Sequence, residues 1–313
     1  MLQYRIPGKE IVREKGMFIQ ASSRELKGFI VSNFKGSAYY KFQPNNRPRT
    51  IVHPRKIAPH NINRLSFIQM VRKVKQGIQQ LGLVKLVISR VISKSMGNTT
   101  PSELFETLCE AYPSAFVYHF NDHQLGEWIG ASPEILLRRV EDIYFLMSLA
   151  GTRSSAEVVN WQSKEIVEQR IVTEYIEEML RDLQIPFEKE GPYNHAAGPV
   201  THLRTDLWFE TSKNLERQII TQLHPTPAVC GIPTKLARES LNTLEKHERE
   251  LYTGIIGFFG EHDTHCFVNL RCGQVMDGVL HAYVGAGITA DSDPESEWIE
   301  TENKSNTLLT FLN

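Results

Sequence analysis

The stretch that most constrains how this chain can fold is residues 291–304, the acidic start of a helix whose face continues into apolar residues. Asp293-Pro294 opens that helix, with Asp293 as cap and Pro294 at the first helical position, where the missing N–H costs nothing. Counting from Glu297, the residues Glu300, Lys304, Leu308 and Phe311 lie at +3, +7, +11 and +14, on one helical face. That face turns from charged to apolar along its length. Leu308 and Phe311, with Leu309 and Leu312 beside them, must meet a core, so Glu297, Glu300 and Lys304 are directed into the molecule or a cleft. Charges held there need partners. The plainer alternative is a solvated acidic helix start favoured by the helix dipole.

With 313 residues the chain can bury a large core as one big domain or two. A net charge of -1 supplies no general basic field, which argues against nucleic acid or an anionic membrane as partner and for a small molecule. Cys109, Cys230, Cys266 and Cys272 have no C-x-x-C spacing and sit among apolar residues, so buried free thiols are expected, not zinc or disulfides. A reducing cytoplasm fits that pattern. No basic segment precedes an apolar run at the N-terminus, and no stretch approaches the ~18 apolar residues of a spanning helix. A soluble, unexported protein is expected.

Residues 1–60 read as short strands and turns, such as Gly28-Phe29-Ile30-Val31, broken by the polar loop Gln43–Arg49. Leu65, Ile68, Val71, Val74 and Ile78 recur at helical intervals up to Gly82. In the strand Val84–Arg90, period 2 puts Val84, Leu86 and Ile88 on one face and Lys85, Val87 and Ser89 on the other. Lys85 then either guards a sheet edge or faces a closed cleft, where desolvation would lower its pKa from about 10.4 toward a general base's range. Pro101–Ala111 reads as a capped helix and Ala115–Phe120 as a strand. Gly130-Ala131-Ser132-Pro133 allows a tight turn that sets Glu134 before an apolar strand. An isolated glutamate there is ordinarily a loop residue, and its interest depends on what it faces.

Tyr144–Leu149 reads as a strand delivering Ala150-Gly151-Thr152-Arg153, small residues and a hydroxyl that let a ligand approach the backbone. In the long helix Ser163–Leu183, Glu168, Val172, Tyr175 and Met179 fall at 0, +4, +7 and +11, with Glu165 three residues before Glu168. The acidic start of the last helix is thereby repeated. Four carboxylates on the N-terminal extensions of two buried stripes would repel one another unless a hard dication lay between them, and oxygen-only ligands suit Mg²⁺. Two unrelated acidic helix starts are the alternative. His202, on the strand Val200–Phe209, can be a plain core or surface histidine. The segment Leu223–Pro233 reads as a defined loop, dense in proline. Glu250–Gly260 and Cys266–Cys272 read as strands joined by Glu261–His265, with His262 and His265 in a solvated turn. Arg271 would share a strand face with Phe267 and Asn269 and point into a lined space, where arginine meets carboxylates bidentately. A last strand, Val279–Tyr283, ends in Gly285-Ala286-Gly287-Ile288, glycines that bring backbone N–H groups near a ligand. No Walker loop or complete dinucleotide fingerprint is present.

These runs, from Val84–Arg90 through Gly130–Glu134, Leu149–Arg153, Ser163–Glu168, His224–Ala228, Tyr252–Gly257 and Gly285–Ile288 to the acidic helix, follow one known order. Over residues 84–304 the chain resembles the chorismate-utilising enzymes, and among them the isochorismate synthases. The resemblance implies one α+β domain over residues 1–313, two large antiparallel sheets packed together with helices outside, with residues 1–60 a shortened N-terminal part. It implies Lys85 as the base that activates water and Glu134 as the acid that protonates the departing hydroxyl. Glu168 and Glu300 resemble the Mg²⁺ ligands, with Glu165 and Glu297 contacting the ion directly or through water. Thr152, Tyr252, Arg271, Lys304 and the backbone around Gly151, Gly285 and Gly287 are similar to the groups that hold the substrate carboxylates, and His202 to a ring-site histidine. The reaction implied is Mg²⁺-dependent conversion of chorismate to isochorismate for menaquinone synthesis, without an obligatory glutaminase subunit. Salicylate synthesis, or isochorismate made for a siderophore, stands as the alternative. Outside that class, a binding module without turnover and a metal-dependent phosphoryl hydrolase are the competing readings.

Overall fold

The computed structural model describes residues 1–22, 26–46, 57–80, 82–154, 161–197 and 200–312. In chain order the elements are β1 (Leu2–Arg5), β2 (Ile11–Glu14), β3 (Gly16–Ala21), β4 (Gly28–Ser32), β5 (Tyr39–Pro44), α1 (Arg64–Gln80), β6 (Lys85–Ser95) and α2 (Pro101–Ala111). Then follow β7 (Phe116–Asp122), β8 (Gly126–Ser132), β9 (Ile135–Val140), β10 (Ile143–Ser154), α3 (Ser163–Asp182), β11 (Glu188–Ala197), β12 (Val200–Glu210) and α4 (Glu216–Leu223). The chain ends with β13 (Gly231–Ile232), α5 (Thr234–Leu244), β14 (Ile255–Phe259), β15 (Asp263–Val268), β16 (Cys272–Met276), β17 (Val279–Ile288) and α6 (Pro294–Leu309).

The strands form two antiparallel sheets, ordered β13-β6-β17-β16-β8-β7-β1-β2 and β11-β12-β10-β9-β15-β14-β4-β5-β3. Aromatic side chains fill the space between them. Phe116 of the first sheet stacks on Phe267 of the second with ring centroids 4.6 Å apart, and Tyr4 meets Phe29 at 4.9 Å and Phe120 meets Phe18 at 4.8 Å. The outer faces are covered by helices. Val172, Ile176 and Leu180 of α3 pack on Tyr144 and Leu146 of β10, while α1 and α5 cover Leu86 and Ile88 of β6. This is the α+β architecture expected, and the first 46 residues supply five of its strands, distributed over both sheets.

Local chemistry sets the helix starts. Thr100 Oγ1 accepts from Glu103 N at 3.2 Å while the Glu103 carboxylate accepts from Thr100 N, a capping box. Asp293 Oδ2 accepts from Ser296 N at 2.8 Å, with Pro294 following it. Gly82, at φ +67°, follows α1.

The structure corrects several expectations. Leu65 is exposed; the buried stripe of α1 begins at Phe67. Gly130 to Ser132 belong to β8 instead of a turn, and a Cβ at Gly130 would come within 2.8 Å of Cys272 and Tyr118. Gly231-Ile232 form a short strand inside the segment read as a loop. Gly285 to Ile288 lie within β17. His265 is buried in β15, hydrogen-bonded to Asp263 at 3.2 Å, whereas His262 is exposed. Cys266 to Cys272 is not one strand. The chain leaves the second sheet after Val268 and enters the first at Cys272, with Arg271 left-handed at φ +48° in between. All four cysteines are free and buried, as expected.

Candidate active site

Two sheet crossings build the site. Between β8 and β9 the chain passes from the first sheet to the second through Pro133-Glu134, and between β15 and β16 it returns through Asn269-Leu270-Arg271. The crossings are bonded side by side. Val268 N donates to Glu134 O at 3.0 Å, Ala131 N to Arg271 O at 3.0 Å, and Ser132 Oγ to Val268 O at 2.5 Å. Strand pairing cannot continue where a chain changes sheets, so a gap opens there and Glu134 and Arg271 point along its wall.

A cavity of about 120 Å³ occupies that gap. Its wall brings together Lys85, Glu134, Gly151, Glu165, Glu168, His202, Tyr252, Arg271, Gly285, Gly287, Glu300 and Lys304, drawn from six strands and helices and the links between them. Glu297 is 1% exposed and is not among the residues that line it. The hydroxyl expected of Thr152 lies outside the described side chains. Tyr283 also lines the wall, and sequence reasoning passed over it. Period 2 along β17 aligns Tyr283 with Gly285 and Gly287, which was the available signal.

Lys85 is 1% exposed, pairs with Ile232 of β13 and directly precedes the pairing of β6 with β17 at Leu86, so it is not a solvated edge guard. Its Nζ forms an ion pair with Glu168. Gly287 makes room for that pair, because a Cβ there would lie 2.7 Å from both Glu168 Oε1 and Lys85 Cε. Lys304 Nζ pairs with Glu300 Oε1 at 2.5 Å and donates to Gly285 O at 2.9 Å. Arg271 Nη1 donates to Lys304 O at 3.2 Å and Thr307 Oγ1 at 3.1 Å, tying the crossing to α6.

Burial raises the Glu134 carboxyl to about 7, against the opposing pull of Lys85, Lys304 and Arg271. Burial lowers His202 to about 4, although Gly151 O accepts from its Nδ1 at 2.8 Å. Burial keeps the ring neutral, and the bond to Gly151 O sets its tautomer, with Nε2 as the acceptor. Tyr252 stays a phenol, its pKa raised by burial.

The carboxylates have the chemistry a hard dication requires. Glu165, Glu168 and Glu300 offer only oxygen, and no cysteine lines the cavity. Among the described residues no three such donors converge on one point. Glu168 and Glu300 are turned onto lysines, and Glu165 Oε2 accepts from Gln162 N at 3.0 Å as the helix cap of α3.

A cavity between two antiparallel sheets, lined by carboxylates, two lysines and an arginine, is the candidate active site, with cations suited to a small anionic ligand. The model of the chorismate-binding enzymes matches residues 30–313, and the chain belongs to that family. It is 31% identical to isochorismate synthase EntC of Escherichia coli K12 over 266 residues, covering 79% of this chain and 67% of the relative. To isochorismate synthase MenF of the same organism it is 32% identical over 207 residues, which cover 62% of this chain and 48% of MenF. The solved structure of MenF, described as menaquinone-specific, superposes with a TM-score of 0.83 at 21% identity, covering 100% of this chain and 88% of that one; this likeness concerns the fold. No helix among the described residues is long and apolar enough to cross a membrane.

Proposed function

We propose that this enzyme converts chorismate to isochorismate by adding water at C2, shifting the ring double bonds and releasing the C4 hydroxyl. The observation that carries the reading is Glu134, a carboxyl whose burial keeps it protonated near neutral pH, on the same cavity wall as Lys85. One proton must be taken and one given. Lys85 can take the proton of the attacking water only after the ammonium of its ion pair with Glu168 has given up a proton to become the neutral amine, and Glu134 gives its proton to the departing hydroxyl. Arg271, Lys304 and Tyr252 hold the two substrate carboxylates, and the bare backbone at Gly151, Gly285 and Gly287 admits them closely; Thr152 is assigned to the same set. His202, neutral, borders the ring. Mg²⁺ would be held by Glu168 and Glu300, with Glu165 and Glu297 in support, and would take up charge developing on the ring carboxylate.

The 31% identity to EntC and the 32% identity to MenF support the reaction, and menaquinone synthesis is proposed as its use. Incubating the purified protein with chorismate and Mg²⁺ and separating the products tests the first. Isochorismate is expected. Salicylate with pyruvate would make it a salicylate synthase, and product formed only with ammonia would make it an amino-transferring relative. Deleting the gene tests the second: growth should require supplied menaquinone, and a requirement for a siderophore instead would reassign the pathway.

A further inference from the structure

Beside Lys85, the outer edge of the first sheet stops short. The strand β13 pairs with β6 only at Lys85 and Leu86, and Cys230 O accepts one further bond from Val87 N at 2.9 Å. Past that point no strand among the described residues lies along β6 on this side, and a buried sheet edge leaves its N–H and C=O groups in need of partners. Two charged side chains provide them. Arg249 Nη2 donates to Val87 O at 2.6 Å, and Glu245 Oε1 accepts from Ser89 N at 2.7 Å.

We infer that the Glu245–Arg249 ion pair is a positioning device that stands in for the missing strand and fixes three walls of the active cavity at once. All five guanidinium N–H groups are used. Nε donates to Glu245 Oε2 at 2.8 Å, and Nη2 donates to Glu245 Oε1 at 2.7 Å as well as to Val87 O. Nη1 donates to Val229 O at 2.8 Å and to Thr253 Oγ1 at 3.4 Å. The ring of Phe34 covers the guanidinium at 4.4 Å. Val87 lies on the strand of Lys85, Val229 on the proline-rich loop and Thr253 beside Tyr252, and all three line the cavity. Burial opposes the charge on Glu245, yet Arg249 holds its carboxyl below the usual range. Neither residue lines the cavity, so both act through the backbone they hold.

The geometry demands a planar fork. A lysine has three donors radiating from one point and cannot serve two backbone carbonyls, a hydroxyl and both carboxylate oxygens together. Against the pair lies a second cavity of about 160 Å³, lined also by Asn33, Lys35, Asn242 and His247, which gives a guanidinium-sized solute a place to enter.

The kinetic arm of the test rests on the proposed chorismate turnover; the exchange arm does not. In the full-length chain, Arg249→Lys should speed amide hydrogen exchange in residues 85–90 and 226–232 without a comparable change elsewhere, and should lower kcat by about 10²-fold, the scale of a small misplacement of reacting groups. Arg249→Ala should regain activity saturably with millimolar guanidinium, which should leave the parent unaffected. Unchanged exchange in those segments would overturn the inference, as would exchange rising evenly along the chain with activity falling only in proportion to folded protein and no rescue. A parent that does not turn over chorismate would remove the functional reading, and the exchange measurement would still decide the positioning role.

Discussion

In the proposed reaction Glu134 gives a proton and Lys85 takes one, and the surroundings of Glu134 bear on its part. Glu134 is closed off from solvent, and the loss of water outweighs three nearby cations, so its carboxyl rises to about 7. The acid form is therefore lost as pH rises, and kcat/KM should fall above a pH of about 7. Glu134→Gln should abolish that limb and cost about 10²–10⁴-fold in kcat. The same shift bears on stability. A folded pKa above the ordinary carboxyl value favours folding fully below that value, and the advantage disappears as pH passes through about 7. Thermal or urea unfolding should show Glu134→Gln gaining on the parent, on the order of 3 kcal/mol between acid and mildly alkaline pH. Lys85→Ala should abolish turnover, by about 10³-fold, while chorismate still binds in a direct titration; near-normal rates would show that the base is another group. The chemical types at these positions were legible in the sequence, since a lysine interrupting an apolar strand and a glutamate before another are visible as exceptions. Which lysine face meets which glutamate was not.

At the scale of elements, α3 and α6 each bring a glutamate pair into the molecule, and β6 and β17 carry the residues that meet them. The helix pattern predicted the inward direction of Glu168 and Glu300. Their partners came from β6 and from the next turn of α6: Lys85 takes Glu168 and Lys304 takes Glu300. Glu300→Gln should weaken Mg²⁺ activation at least tenfold if this carboxylate is the central ligand, since it removes one of few charged oxygens; activity with unaltered Mg²⁺ dependence would take it out of the set. The strand β17 makes room for this chemistry. Gly287→Ala places a methyl 2.7 Å from both members of the Lys85–Glu168 pair, and kcat should fall by about 10²-fold with little change in melting temperature, because the clash is with side chains lining a cavity. Periodicity found β17, but not that its glycines lie inside the strand, because glycine marks both turns and close approach.

At the scale of the whole molecule, stability and site share one origin. The aromatic layer between the sheets holds them apart by the thickness of a side chain, and the crossings at Glu134 and Arg271 occur where that layer gives way to the cavity. Phe116→Ala should cost about 3–5 kcal/mol in urea unfolding, as it empties the stack on Phe267. The sequence by itself determined many of the strands, the amphipathic helices and the buried thiols, because these follow from local period and polarity, while the residues of the site were named through the family resemblance. Only the tertiary structure decided that Arg271 stands in a crossing instead of a strand, that Glu297 is buried behind the wall, and that Arg249 closes the edge of β6. Those facts depend on which distant segments become neighbours, and hydrogen bonds such as Arg249 to Val87, 162 positions apart, leave no periodic trace in the chain.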